Sequence, residues 1–240
     1  MTPVPLPPPE LRLHKDDDEA FRANCVRLAR TVYDAGLRLD GAVLDVGCGV
    51  GRLPIGLLSS GFVGRYFGFD VSLRHVRWAK QNLGPLGDLA FKHTPVYNDR
   101  YNTNASTTAD AFAFPVGSGE FDVAALFSVF THFYRDDIES YLRELARALR
   151  PGGRVVVTFF LWDEDRLPAI MAGPHPLGFE LDADVRFWRE DDPLWAIGYS
   201  FSALDTMAAG AGFDVTSIVR GTWAGDPGPQ LQDVVVLTKR

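Results

Sequence analysis

Three glycines alternate at Gly47, Gly49 and Gly51 within VLDVGCGVGRLP, residues 43–54, directly after an aliphatic run. Bare backbone at a strand end lets a ligand touch the main chain, and a helix starting just beyond it offers unpaired N–H groups, so the pattern suits a nucleotide-like ligand. Asp70 stands nineteen residues after Gly51, closing the next apolar run RYFGFD, where an acid accepts both hydroxyls of a ribose. These features suit NAD as well as other ribose-bearing cofactors. A dinucleotide fingerprint, however, asks for Gly-x-Gly-x-x-Gly, whereas position 52 is arginine and the third glycine is Gly51. Asp45, two residues before the first glycine, also has the makings of a turn-capping carboxylate.

Such a loop needs strands and helices to hold it. Phe21, Cys25, Leu28, Val32 and Ala35 recur at helical spacing, with Asp16 to Glu19 in the first turn at the positive end of the dipole. Residues 42–47 and 65–70 read as strands, with a helix over 53–60 between them. Ser72 caps a helix with Leu73, Val76, Ala79 and Leu83 on one face. Further strands are expected near 89–96, 120–130 and 154–162, the last two flanking a helix built on Ile138, Tyr141, Leu142, Leu145 and Leu149. Alternation of this kind implies a parallel sheet covered by helices on both faces. After a helix around 202–211, FDVTSIVRG and LQDVVVLTK form a hairpin and hence an antiparallel edge. The span 163–199 has no clear helical period but carries Phe179, Phe187, Trp188, Trp195 and Tyr199. Such a length of connection reads as a substrate lid, its aromatics forming either a small satellite core or a substrate wall.

The run Asp-x-Gly-x-Gly-x-Gly, followed by Asp70, AFAFP (111–115), FDVAALFSVFTHF and LRPGG, resembles the class I S-adenosylmethionine-dependent methyltransferases over about residues 40–160. The resemblance implies an α/β fold with a seven-stranded, mostly parallel, doubly wound sheet ending in an antiparallel hairpin. It also implies S-adenosylmethionine as cofactor. By the same resemblance Gly47, Cys48 and Gly49 lie against the cofactor's amino-acid portion, while Asp45 and Gly51 shape the loop. Asp70 would take the ribose hydroxyls, with Val71 beside the adenine. Asp110 and Ala111 match the segment that meets the adenine amino group before Phe114 and Pro115, and Phe127 and Ser128 end the fourth strand under the sulfonium.

Methyl transfer from a sulfonium is an in-line displacement, so alignment and exclusion of water do much of the work. A neutral hydroxyl still gains from a positioned base, roughly 10²- to 10⁴-fold. Of the five histidines, His132 lies just past the fourth strand, and Asp163 after the fifth is placed to orient it. His132 as base, or as a residue packing the next helix, are both open readings. His14, His75, His93 and His175 have no comparable position. A Mg²⁺ ion held by some of Asp136, Asp137, Asp163, Glu164 and Asp165 has no definite ligand spacing and is not adopted; Asp136 and Asp137 suit a helix start. Tyr97, Asn98, Asp99, Arg100, Tyr101 and Asn102 supply the stacking faces and hydrogen-bonding groups that a sugar would need.

The 240 residues fit one domain over 13–240 behind a flexible Pro-rich arm, 1–12, and 46% hydrophobic residues sustain a sizeable core. A formal net charge of -7 with no basic block argues against nucleic acid as partner. Two cysteines, no export signal and no long apolar run point to a reduced cytoplasmic setting without a membrane span. The expected partner is a small hydroxylated acceptor, with a saccharide favoured, and a homo-oligomer is compatible with the aromatic lid. The expected function is O-methyl transfer. The alternatives are N- or C-methyl transfer, an NAD-dependent oxidoreductase, and a non-catalytic binding module.

Overall fold

The computed structural model describes residues 4–12, 16–96, 107–108 and 111–240. The first half alternates as its periodicity requires: α1 (Asp18–Asp34), β1 (Ala42–Val46), α2 (Arg52–Ser59), β2 (Arg65–Asp70), α3 (Leu73–Asn82) and β3 (Leu89–His93). Then come β4 (Phe121–Leu126), α4 (Arg135–Ala148) and β5 (Leu149–Phe159). The remainder is β6 (Leu161–Trp162), α5 (Leu167–Ala172), β7 (Phe179–Glu180), β8 (Val185–Phe187), β9 (Ile197–Ser200), α6 (Phe201–Gly210), β10 (Phe213–Val219) and β11 (Asp233–Lys239).

Seven strands form one sheet in the order β10-β11-β5-β4-β1-β2-β3. The pairs among β1 to β5 are parallel, and β11 runs antiparallel to both β5 and β10. Alternating side chains feed two cores. Leu44 and Val46 pack with α4 and α6 on one face, while Val43 joins α1, α2 and α3 on the other. The strand order reverses between β1 and β4, which opens a crevice at their carboxyl ends.

The C-terminal hairpin β10-β11 forms the antiparallel edge, with β11 between β5 and β10, where its Val234, Val235 and Leu237 are buried. Two expectations change. The span 163–199 is no bare lid, since β6-β9-β8-β7 make a second small sheet. Its strands, two to four residues long, are too short to display a period. The arm is also tied down over the part described. Arg12 donates to the Pro7 carbonyl at 2.9 Å, to the Asp16 carbonyl at 2.7 Å and to Asp18 at 2.6 Å, and Leu11 is buried. Asp17 caps α1 by accepting from the Ala20 N–H at 2.8 Å. Among the described residues no helix is long and apolar enough to cross a membrane.

Candidate active site

The glycine loop is fastened to the end of β2. The Gly47 and Cys48 N–H groups both donate to the Phe69 carbonyl, at 2.9 and 3.1 Å. Asp70 then binds the loop itself: one carboxylate oxygen accepts from the Gly49 N–H at 2.8 Å and the other from the Ser72 N–H at 2.7 Å. Burial raises the Asp70 pKa, while those two N–H donors, His75 and His93 oppose the rise. Ser72 occupies the N-cap position of α3, but its side chain makes no capping bond; its N–H serves Asp70 instead.

Gly51 shows why this turn cannot carry a side chain. Its φ of 85° lies in the left-handed region, and a Cβ would stand 2.6 Å from Leu83 Cδ1. At Gly49, with φ 52°, a Cβ would meet nothing within 4 Å, so the bare backbone faces open space.

That space is a cleft at the carboxyl ends of β1, β2 and β4. Its wall includes Gly47, Gly49, Asp70, Val71, Phe127, Ser128 and His132, which joins seven of the sequence-derived site residues. Asp45, Cys48 and Gly51 lie beneath the loop rather than on the wall. Asp45 accepts from the Tyr66 hydroxyl at 2.7 Å, and burial pushes its pKa up to about 7 against the opposing pull of Tyr66 and Arg52. Ala111 is exposed and off the wall, and Asp110 lies outside the described residues, as do His14 and Tyr97 to Asn102. Phe114 packs edge-on to Phe69 and Tyr141, at centroid distances of 5.0 Å each.

Ser128 departs from ordinary backbone. Its φ of 60° is the one positive value at a non-glycine among the described residues. Two bonds hold it there: its N–H donates to Thr158 Oγ1 at 2.8 Å, and its hydroxyl donates to Gln232 at 2.9 Å. Strain that surrounding bonds maintain beside a cleft is a mark of a functional position.

His132 sits in a short 3₁₀ turn, residues Phe130–His132, and its Nδ1 lies 2.9 Å from the Leu194 carbonyl. A carbonyl only accepts, so Nδ1 carries the proton and the lone pair of the neutral ring falls on Nε2. The expected orienter is therefore corrected. Asp163 instead accepts from the Arg166 N–H at 2.8 Å at the start of α5, because the chain turns there into a helix whose first donors need a cap. Asp136 and Asp137 lie in the first turn of α4, and among the described residues no group of three or more His, Cys, Asp or Glu could hold a metal ion.

One expectation about the histidines is corrected and two wall residues escaped the sequence reading. His75, expected to have no position comparable to His132, shares the wall beside Asp70, because it follows β2 in the first turn of α3, and burial lowers its pKa. Arg52 and Thr94 also face the cleft, and the Thr94 hydroxyl is buried without a hydrogen-bond partner. Their own types carried no marker, since each is common in loops and caps. The aromatics of 163–199 largely serve packing: Phe179 stacks on Phe187 at 5.6 Å, and Trp188 packs against a small cluster with Trp162 and Trp223.

Residues 44–157 match the family model described as a methyltransferase domain. Methyltransferase GfsG of Streptomyces halstedii is 30% identical over 135 residues, covering 55% of this chain and 42% of that protein. The 27-O-demethylrifamycin SV methyltransferase of Amycolatopsis mediterranei is 28% identical over 148 residues, covering 62% of this chain and 45% of that protein. The matches thus span less than half the length of these curated relatives. Among solved structures, a Burkholderia thailandensis 1,6-didemethyltoxoflavin-N1-methyltransferase, with 1,6-didemethyltoxoflavin and S-adenosylhomocysteine bound, is similar in fold. The TM-score is 0.57 at 20% identity, over 93% of this chain and 79% of that one.

Proposed function

The chain carries a methyltransferase domain of the class I fold, and we propose from that premise that it transfers a methyl group from S-adenosylmethionine to a hydroxyl of a small metabolite. The residues present suit that cofactor. Gly49 leaves room against bare backbone, and Asp70 is an acceptor already oriented by two N–H groups. The Thr94 hydroxyl is an orphaned polar group on the same wall. Asp70 would take the ribose hydroxyls and Val71 would flank the base. Bound there, the cofactor supplies an electrophilic methyl on a sulfonium sulfur.

The observation that carries O-methylation is the His132 Nδ1 to Leu194 carbonyl bond, in the same cleft as the glycine loop. It fixes the tautomer in which Nε2 is basic, which is what a neutral alcohol nucleophile requires. His132 is accordingly the proposed base, oriented by a backbone carbonyl. Val96, Phe133 and Tyr141 give that cleft apolar surface that excludes water. One relative is named for O-methylation of a demethylrifamycin, in keeping with a hydroxyl acceptor. The composition of 97–102 makes sugar-bearing acceptors the first candidates.

The test is to incubate the protein with S-adenosylmethionine and a panel of hydroxylated and aminated acceptors, reading addition of one methyl by mass spectrometry. With an active acceptor, His132→Ala should keep cofactor affinity and lose roughly 10²- to 10⁴-fold in kcat. Unchanged turnover would remove His132 as base, and exclusive methylation of amines would remove the O-methyl reading.

A further inference from the structure

Arg52 is the first residue of α2, immediately after the glycine loop, and it is the one lysine or arginine on the cleft wall among the described residues. Among the described residues no hydrogen bond and no ion pair to it is found. Its side chain is half-buried on the wall, so the guanidinium reaches the cleft with its donors left for a ligand. Burial pulls its pKa down, and Arg27 adds repulsion. Of the acids that act on it, Asp45 and Asp16 do so without a contact, and Asp45 gives its close acceptor position to the Tyr66 hydroxyl. The other guanidinium near this end of the cleft, Arg12, is by contrast saturated by two carbonyls and Asp18. Leu11 and Phe21 close the same cleft with apolar surface, which strengthens any charge pairing made inside it.

A cationic fork, the one Lys or Arg on this wall among the described residues and flanked by Leu11 and Phe21, suits a planar anion. S-adenosylmethionine has a single anionic group at neutral pH, the carboxylate of its methionine portion. Asp70 lies on the opposite side of the charge balance, as an acceptor for hydroxyls, and would repel that carboxylate. We infer that Arg52 is the carboxylate anchor of this site, setting the cofactor's direction in the cleft and discriminating against ligands that lack the carboxylate. The inference rests on the cofactor reading above and adds to it a specificity-determining residue.

Calorimetry on the full chain with S-adenosylmethionine and with decarboxylated S-adenosylmethionine tests it. Wild type should prefer the carboxylated ligand by about 10- to 100-fold, the range expected for a charge-assisted bond. Arg52→Gln should weaken S-adenosylmethionine by that same factor while leaving the decarboxylated ligand within about twofold, so that the preference disappears. Arg52→Lys, which keeps the charge but loses the fork, should fall between them and carries the test should the glutamine variant fail to fold. Equal weakening of both ligands, or of neither, would overturn the inference. So would a wild type that binds both ligands alike, an outcome that leaves the cofactor reading standing. A wild type that binds neither ligand would overturn the cofactor reading and this inference together.

Discussion

Asp70→Asn changes little in size but reverses the polarity of one side of the group. In the native site both carboxylate oxygens accept backbone N–H bonds, from Gly49 at 2.8 Å and Ser72 at 2.7 Å. An amide has one oxygen, so its NH₂ must face an N–H donor on one side, and that donor loses its acceptor. Bonds to a charged group are worth about 1.5–3 kcal/mol each, so one lost and one weakened bond removes about 2–3 kcal/mol from the arrangement proposed to bind ribose. The affinity for S-adenosylhomocysteine should fall about 30- to 150-fold. Folding stability responds differently, because burial already disfavours the Asp70 charge and the amide relieves that cost. The two effects oppose each other, and the net change in stability should stay within about 1–2 kcal/mol, a few degrees in Tm for a chain of this length. Calorimetric titration together with thermal melting separates the two quantities. A variant that binds within threefold of wild type would refute the assignment of Asp70 to the ribose.

The remaining expectations concern the loop, its buried acid and the cap of α5. Asp45, held up at about 7 in the fold against 3.8 as its ordinary value, confers its full stability below about pH 4 and loses it as pH rises through 7. At 1.36 kcal/mol per unit that amounts to about 4 kcal/mol, so Asp45→Asn should flatten the fall in urea stability between about pH 4 and 7; matching slopes in variant and wild type would refute it. Gly51→Ala combines a left-handed backbone with a clash against Leu83 and should cost about 1–3 kcal/mol in urea unfolding, along with cofactor affinity. Asp163→Ala should lower stability by about 1 kcal/mol through the lost cap of α5 while leaving the pH profile of turnover unmoved; a shifted profile would restore Asp163 to the catalytic group.

What the sequence made legible is the half of the site whose partners are local or repeat a pattern. The glycine loop and Asp70 are far apart in the chain, yet each ends a strand, and neighbouring parallel strands bring their ends together. The register Val46 to Phe69 then leaves Asp70 next to the loop it binds. His132 was legible for the same reason, since it follows a strand that pairs with β1. Its orienter was not, because a main-chain carbonyl 62 residues away has no residue type to announce it. The arm misled through its prolines, which suggest a solvated polyproline segment, whereas Arg12 reaches back to Pro7 and on to Asp16. The place of β11 inside the sheet depends on pairings with β5 that no local pattern specifies.

The split between legible and illegible follows a division of labour in the fold. Around the glycine loop, the bonds that shape the wall stay within 44–157: Gly47 and Cys48 to Phe69, and Gly49 and Ser72 to Asp70. Around Ser128 and His132 they leave it. Ser128 is held in its strained conformation by Thr158 and Gln232, and the His132 tautomer is fixed by Leu194. These partners stand at the end of β5, in the turn Pro193–Trp195 before β9, and immediately before β11. A positive φ at serine costs on the order of 1–3 kcal/mol and persists only while such partners over-determine it. Changes in the chain beyond residue 157 can therefore move Ser128 and His132 without disturbing the bonds between Asp70 and the glycine loop. On the proposed function, replacing Gln232 or repacking the turn at Leu194 should change which acceptors are methylated while leaving cofactor affinity within about twofold, and unchanged acceptor choice would refute that reading.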